Sequence, residues 1–269
     1  MSDTAAKIAA LRASLAKAEL EHPETHIRVP LGYDEVDACL QGGLCRGALH
    51  EIFSEGSHEA AATGFAAALS FRIAADKPVL WIRQDFSAVE FGEPSATGLL
   101  ELGLDPTRLL LARLADAADV LRAAADALSC ASLGAVVIEL PNNPKILDIV
   151  ASQRLTLASA QKGVTAFLLR FNAKPQLSAA ETRWHVRAVR SSDKDENWGS
   201  PVFAAELVRN RHGLTGRWII EWSCDDGVFR QPRDTGAEDS GAVVSAPGDR
   251  SIGAAMEGVA DAKTVRRIA

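Results

Sequence analysis

Residues Ser54-Glu55-Gly56-Ser57-His58-Glu59-Ala60-Ala61-Ala62-Thr63-Gly64 lie where a strand should run through a small-residue loop into an alanine-rich helix. Upstream, Gly42-Gly43-Leu44-Cys45-Arg46-Gly47-Ala48-Leu49-His50-Glu51-Ile52-Phe53 reads as a glycine turn feeding that strand, and the helix is expected to continue through Phe71. Strand, loop and helix form the context of a phosphate-binding loop, G-x-x-x-x-G-K-[ST], whose N–H groups, lysine and hydroxyl hold phosphates and Mg²⁺. The chemistry departs from that pattern. With Ser54 in the place of the first glycine, the second glycine becomes Glu59, the lysine Ala60 and the metal-binding hydroxyl Ala61. A carboxylate where the β- and γ-phosphates would lie repels a nucleotide, and no Lys or Arg stands between Phe53 and Phe71 to offset it. These residues imply no nucleotide cofactor and no catalytic site.

Other reactive side chains are sparse. Asp85 and Glu139 are the acids placed at the ends of expected parallel strands, where open α/β sheets hold their ligands. Without a phosphate-binding lysine, both read as residual structural acids. The histidines show no metal-ligand spacing, and there is no G-x-S-x-G, H-E-x-x-H or paired-carboxylate motif. Cys39, Cys45, Cys130 and Cys224 are scattered without a C-x-x-C, the usage of free thiols in a reducing compartment. No metal is expected.

The whole chain narrows the classes further. A net charge of −6 over 269 residues argues against coating nucleic acid by bulk electrostatics, although a local basic patch remains open. The N-terminus carries Asp3, Lys7, Arg12 and Lys17 instead of a signal-peptide core, and no apolar run approaches the ~18 residues of a membrane span. A cytoplasmic protein without a membrane partner is expected.

The elements that must position these residues follow from hydrophobic spacing. Thr4 to Glu21 predicts a helix with Ile8, Leu11 and Leu15 on one face, either packed on its own domain or docking on a partner. The core is expected over 27–232. Short apolar strands around Val79–Ile82, Leu109–Arg113, Gly134–Leu140 and Thr165–Phe171 alternate with helices over Asp116–Cys130 and Leu147–Lys162. Asp85–Pro94 reads as a loop, Gly98–Leu104 as a short helix, and Leu109–Arg113 as a buried strand. That alternation predicts an α/β fold with a mostly parallel central sheet covered by helices. Alternating segments at Arg183–Val189, Phe203–Val208 and Arg217–Ser223 predict antiparallel strands added at the C-terminal side. Arg190–Asn197 reads as a charged loop. Residues 233–269, rich in Gly, Ala, Ser and Asp, predict a disordered tail, with Lys263-Thr264-Val265-Arg266-Arg267-Ile268 as a candidate docking motif or an unstructured end.

Two stretches carry a resemblance. Ile27 to Phe53 resembles the lead-in to a RecA-type core, with Leu31-Gly32, Val36-Asp37, Leu40, Gly42-Gly43-Leu44, Gly47 and His50-Glu51-Ile52. Arg209-Asn210-Arg211-His212-Gly213-Leu214-Thr215-Gly216 is similar to the K-x-R-x-G-x-T-G hairpin of RecA-like hexameric helicases, whose two cations reach a nucleotide held by the neighbouring subunit. By that resemblance the metal-holding acid becomes Glu139, the water-activating glutamate becomes Asp85, and the γ-phosphate-sensing glutamine falls near Arg170. A RecA-like core with a degraded loop, a retained arginine hairpin and a low-complexity tail resembles the ImuA family, sometimes labelled SulA-like or RecA-like.

This resemblance implies a non-catalytic accessory factor of SOS-induced, error-prone translesion synthesis. Its implied partners are an ImuB-type inactive Y-family polymerase homologue and an error-prone DNA polymerase subunit, with DNA as a further candidate. Arg209 and Arg211 become candidates for contact with partner carboxylates or DNA phosphate, against an ordinary solvated hairpin. The rival readings are an ATP-binding RecA-like recombinase and a SulA-like division inhibitor.

Overall fold

The computed structural model describes residues 27–54, 56–191 and 200–232. The expectations for the N-terminal helix, for most of the 190–197 loop and for the tail beyond Arg233 lie outside the described residues.

Strand β3 (Leu49–Ser54) occupies the middle of the sheet. It pairs in parallel with β7 (Thr165–Arg170) on one side and β8 (Thr182–Val189) on the other. Beyond β7 come β6 (Ala135–Glu139), β4 (Val79–Gln84) and the edge strand β5 (Leu109–Leu114), all parallel. Beyond β8 come β9 (Val202–Asn210), β10 (Gly216–Ser223) and β11 (Val228–Arg230), joined antiparallel. Among the described residues these nine strands form one sheet, and β1 (Arg28–Val29) and β2 (Leu44–Cys45) make a separate antiparallel pair. This is a RecA-like core. The near-continuous apolar runs of β3, β6 and β7 suit strands buried on both faces.

Helices cover the two faces in different ways. One face carries α2 (Glu59–Ala74), preceded in sequence by the short α1 (Asp34–Cys39). Alanines let α2 lie close to the sheet; a Cβ on Gly134 would stand 2.5 Å from the Cα of Ala74. Phe65 anchors it among the rings of Trp184, Phe203 and Phe229, at centroid distances of 5.7, 5.7 and 5.3 Å. The opposite face carries α5 (Ala117–Leu128) and α6 (Ile149–Lys162), which bury Val120, Ala124, Leu128 and Leu155 against Leu49, Ile82 and Leu168. Asp116 and Asp148 cap these helices by accepting from the N–H groups of Asp119 and Ala151, which satisfies donors a helix start leaves unpaired.

Several expectations change. The segment read as a loop after β4 contains α3 (Ser87–Phe91), and the next short helix, α4, spans Ala96–Glu101. Strand β5 is an edge strand, not a buried one, and leaves Leu110 and Leu111 exposed. Strand β8 is parallel to β3; the antiparallel order starts only between β8 and β9. For the two strands the missing information was which strand lies beside which.

Candidate functional site

At the carboxyl end of β3 the chain turns into α2, as a phosphate-binding loop would. Ser54 is half-buried with a hydroxyl that lacks a partner among the described residues, and Glu59 sits in the first helical turn. Ala60 is exposed and Ala61 is buried. Neither methyl group offers the charge or hydroxyl that a phosphate and its metal require.

The two candidate acids take different positions. Asp85 is exposed just past β4, where its backbone N–H donates to the Leu114 carbonyl at 2.9 Å. Glu139, the last residue of β6, is 1 % exposed. Its Oε1 accepts from Arg83 Nη2 at 2.7 Å and its Oε2 accepts from Trp81 Nε1 at 3.0 Å. Burial pushes the Glu139 pKa up, while the adjacent guanidinium and the two donated hydrogen bonds pull it down. Both carboxylate oxygens are thus committed to the protein. Sequence reasoning missed Arg83 as the partner. The signal was a charged residue closing the apolar run Val79–Ile82, but the pairing needs β4 and β6 to be neighbours, with Ile82 opposite Ile138.

Arg83 and Glu139 line a cavity of about 300 Å³ beside the first turns of α2, with Ala60, Gly64, Phe91 and Leu99 among its other walls. Arg83 is 1 % exposed, and its Nε and Nη1 have no hydrogen-bond partner among the described residues. Asp85 is not among the lining residues.

Two arginines on the strands flanking β3, Arg170 on β7 and Arg183 on β8, pack around Phe53. Arg170, near which the resemblance puts the phosphate-sensing glutamine, donates from Nε to the Leu140 carbonyl and from Nη2 to the Asn142 carbonyl, at 2.9 and 2.6 Å. Burial lowers its pKa to about 10. Arg183 pairs with buried Glu51 at 2.6 Å, and the guanidinium carbons of Arg170 and Arg183 lie 5.5 and 5.6 Å from the Phe53 ring centroid. His50 is buried, with Nε2 bonded to the Cys45 carbonyl and Nδ1 to Thr182 Oγ1, each at 2.8 Å. Nε2 therefore carries the proton, and burial lowers the pKa to about 4.

The arginine hairpin joins β9 to β10. Arg211 is exposed and its guanidinium has no partner among the described residues, while its backbone N–H donates to the Glu181 carbonyl at 2.9 Å. Arg209 is half-buried, and its Nη1 donates to the Ser178 carbonyl at 2.7 Å. The two arginines therefore differ, Arg209 being held by a backbone carbonyl while Arg211 projects from the turn. Between them, Asn210 Nδ2 donates to the carbonyls of Cys39 and Leu214 at 3.0 and 3.1 Å, which ties the hairpin to α1. A Cβ on Gly213 would lie 2.7 Å from the Cys39 carbonyl oxygen, so only glycine fits beside α1. Leu214 at the tip is 77 % exposed.

Among the described residues no group of three or more His, Cys, Asp or Glu side chains is placed to hold a metal, and no helix is long and apolar enough to cross a membrane. No family model matches the sequence. The chain is 31% identical over 208 residues to "Protein ImuA" of Caulobacter vibrioides strain NA1000 / CB15N, an alignment covering 71% of this chain and 81% of that protein. The same figures hold for "Protein ImuA" of Caulobacter vibrioides strain ATCC 19089 / CIP 103742 / CB 15. With a likeness of that extent, the chain belongs to the ImuA family.

Proposed function

We propose that this protein is a non-catalytic adaptor in SOS-induced, error-prone translesion DNA synthesis, joining an ImuB-type inactive polymerase homologue to an error-prone polymerase subunit. Family membership supports the general setting. The observation that carries the adaptor role is the state of Glu139, whose two oxygens are held by Arg83 and Trp81 instead of facing a metal-bound water. Ala60 and Ala61 support it from the other side of the site. A fold that no longer holds a nucleotide retains its surfaces, and Arg211 with exposed Leu214 forms a tip suited to a partner carrying carboxylates beside an apolar contact.

Two measurements test this. Calorimetry with Mg-ATP should show no binding tighter than millimolar; micromolar binding would return the recombinase reading. Affinity capture from DNA-damaged cells, read by mass spectrometry, should recover a polymerase homologue. Recovery of the division apparatus in its place would favour the SulA-like reading.

A further inference from the structure

The cavity beside α2 has features that the adaptor reading does not use. Its outer wall is formed by residues 91–95, Gly98, Leu99 and Leu102 of the segment that follows β4, which contains α3 and α4. Between Gln84 and Arg108 this segment carries Asp85, Glu90, Glu93, Glu101 and Asp105 and no Lys or Arg. Glu93 is neutralised by Arg113, whose Nε and Nη2 donate to its two oxygens at 2.8 and 2.6 Å. Asp85, Glu90 and Glu101 are exposed and have no ion-pair partner among the described residues. Val89 and Leu100, at 89 % and 63 % exposure, project from the same segment. The surface is therefore acidic and apolar around an opening whose walls include Phe91, Leu99, Leu102 and Phe171.

Arg83 supplies an independent observation. A buried guanidinium is costly unless its N–H groups are bonded, yet Glu139 takes only Nη2. Nε and Nη1 call for an acceptor oxygen inside the cavity. Because the Arg83 charge is already balanced by Glu139, a second carboxylate there would be repelled by Glu139. An uncharged oxygen fits.

We infer that this cavity is an anchor site for a basic segment of a protein partner that inserts a tyrosine side chain. The ring packs on Phe91, Leu99 and Phe171, and the phenolic oxygen accepts from Arg83. Flanking Lys or Arg residues meet Asp85, Glu90 and Glu101. Charge complementarity at the rim speeds and orients the encounter, while the buried anchor sets the residence time. This site is formed by elements other than the arginine hairpin, so each can fail without the other.

The test uses the full chain and synthetic nonapeptides with two Lys and two Arg flanking a central Tyr, Phe or Ala, together with a Tyr peptide flanked by Glu. Binding is read by fluorescence anisotropy at low and high salt. The basic Tyr peptide should bind tightest, with Phe about tenfold weaker for loss of one charge-assisted hydrogen bond and Ala weaker still. Ala60→Trp, at an exposed position on the cavity wall, should block binding while leaving the fold unchanged by circular dichroism. Glu90→Lys with Glu101→Lys should weaken the basic peptides at low salt and remove most of their salt dependence. Equal binding of the Tyr and Phe peptides would mean that water satisfies Arg83, and would overturn the tyrosine anchor. Equal binding of the Ala peptide, or no effect of Ala60→Trp, would overturn the site itself. Binding that appears only after residues 263–268 are deleted would show this chain's own basic segment as the occupant and overturn the partner.

Discussion

Arg83 and Glu139 are each only 1 % exposed, so their energetics are set by what happens when one is left alone. Arg83→Met should destabilise the protein by about 3–5 kcal/mol, because Glu139 then stays buried without its cation. Arg83→Met combined with Glu139→Leu should recover much of that loss, since two apolar groups can fill the space of a buried pair. Urea unfolding of the three proteins checks both statements. His50 makes a separate prediction through pH. In the unfolded chain its imidazole takes up a proton near the ordinary 6.5, and in the folded protein only near 4. Between those values the unfolded state holds more protons, so stability should fall as pH falls, by up to about 1.4 kcal/mol per pH unit. The contribution is intact above pH 6.5 and lost on the way down to 4. His50→Gln should flatten this window when urea midpoints are compared from pH 7 to pH 4. The sequence showed His50 in the strand before the loop, but not that its ring bridges to Thr182, 132 residues away.

The hairpin shows how far element-level reading reaches. Spacing placed Arg209 and Arg211 together beside a glycine turn, and the structure keeps them there. What spacing could not separate was their burial, because the Ser178 carbonyl that holds Arg209 arrives from another part of the chain. The register shift also matters. Arg183 lies opposite Arg209 while Trp184 lies opposite Leu207, so Val208 bulges out of the ladder and changes the alternation that sequence parity would assign. Accordingly the two arginines should differ under substitution. Arg211→Ala should change stability by no more than about 0.5 kcal/mol, and Arg209→Ala should cost about 1 kcal/mol for one hydrogen bond to the backbone. If the two arginines contact a partner, as the resemblance implies, the double variant should weaken that binding by about 2 kcal/mol or more, with titration calorimetry as the readout. A defect that appears in DNA binding instead, and shrinks as salt rises, would indicate DNA phosphate.

At the scale of the molecule, the alternation of apolar strands and helices made the parallel sheet legible before any coordinates. Strand order was not, and with it went the exposure of β5 and the parallel setting of β8. These properties depend on distant pairings that local periodicity does not encode. The same distance has a consequence in time. Strand β3 is completed only when β7 and β8 arrive, since Leu49 lies beside Ala166 and His50 beside Thr182. At a synthesis rate of about 5–20 residues per second, the ribosome needs roughly ten seconds to supply these neighbours. During that interval β3 has no neighbouring strand to pair with, so the nascent chain carries an unpaired apolar strand that chaperones for hydrophobic segments can hold. A chain released after Phe171 should lack the slow amide exchange of β3, whereas one released after Arg230 should have it, as measured by hydrogen exchange. The waiting time of the central strand then becomes a limit on how soon each newly made copy can complete its fold.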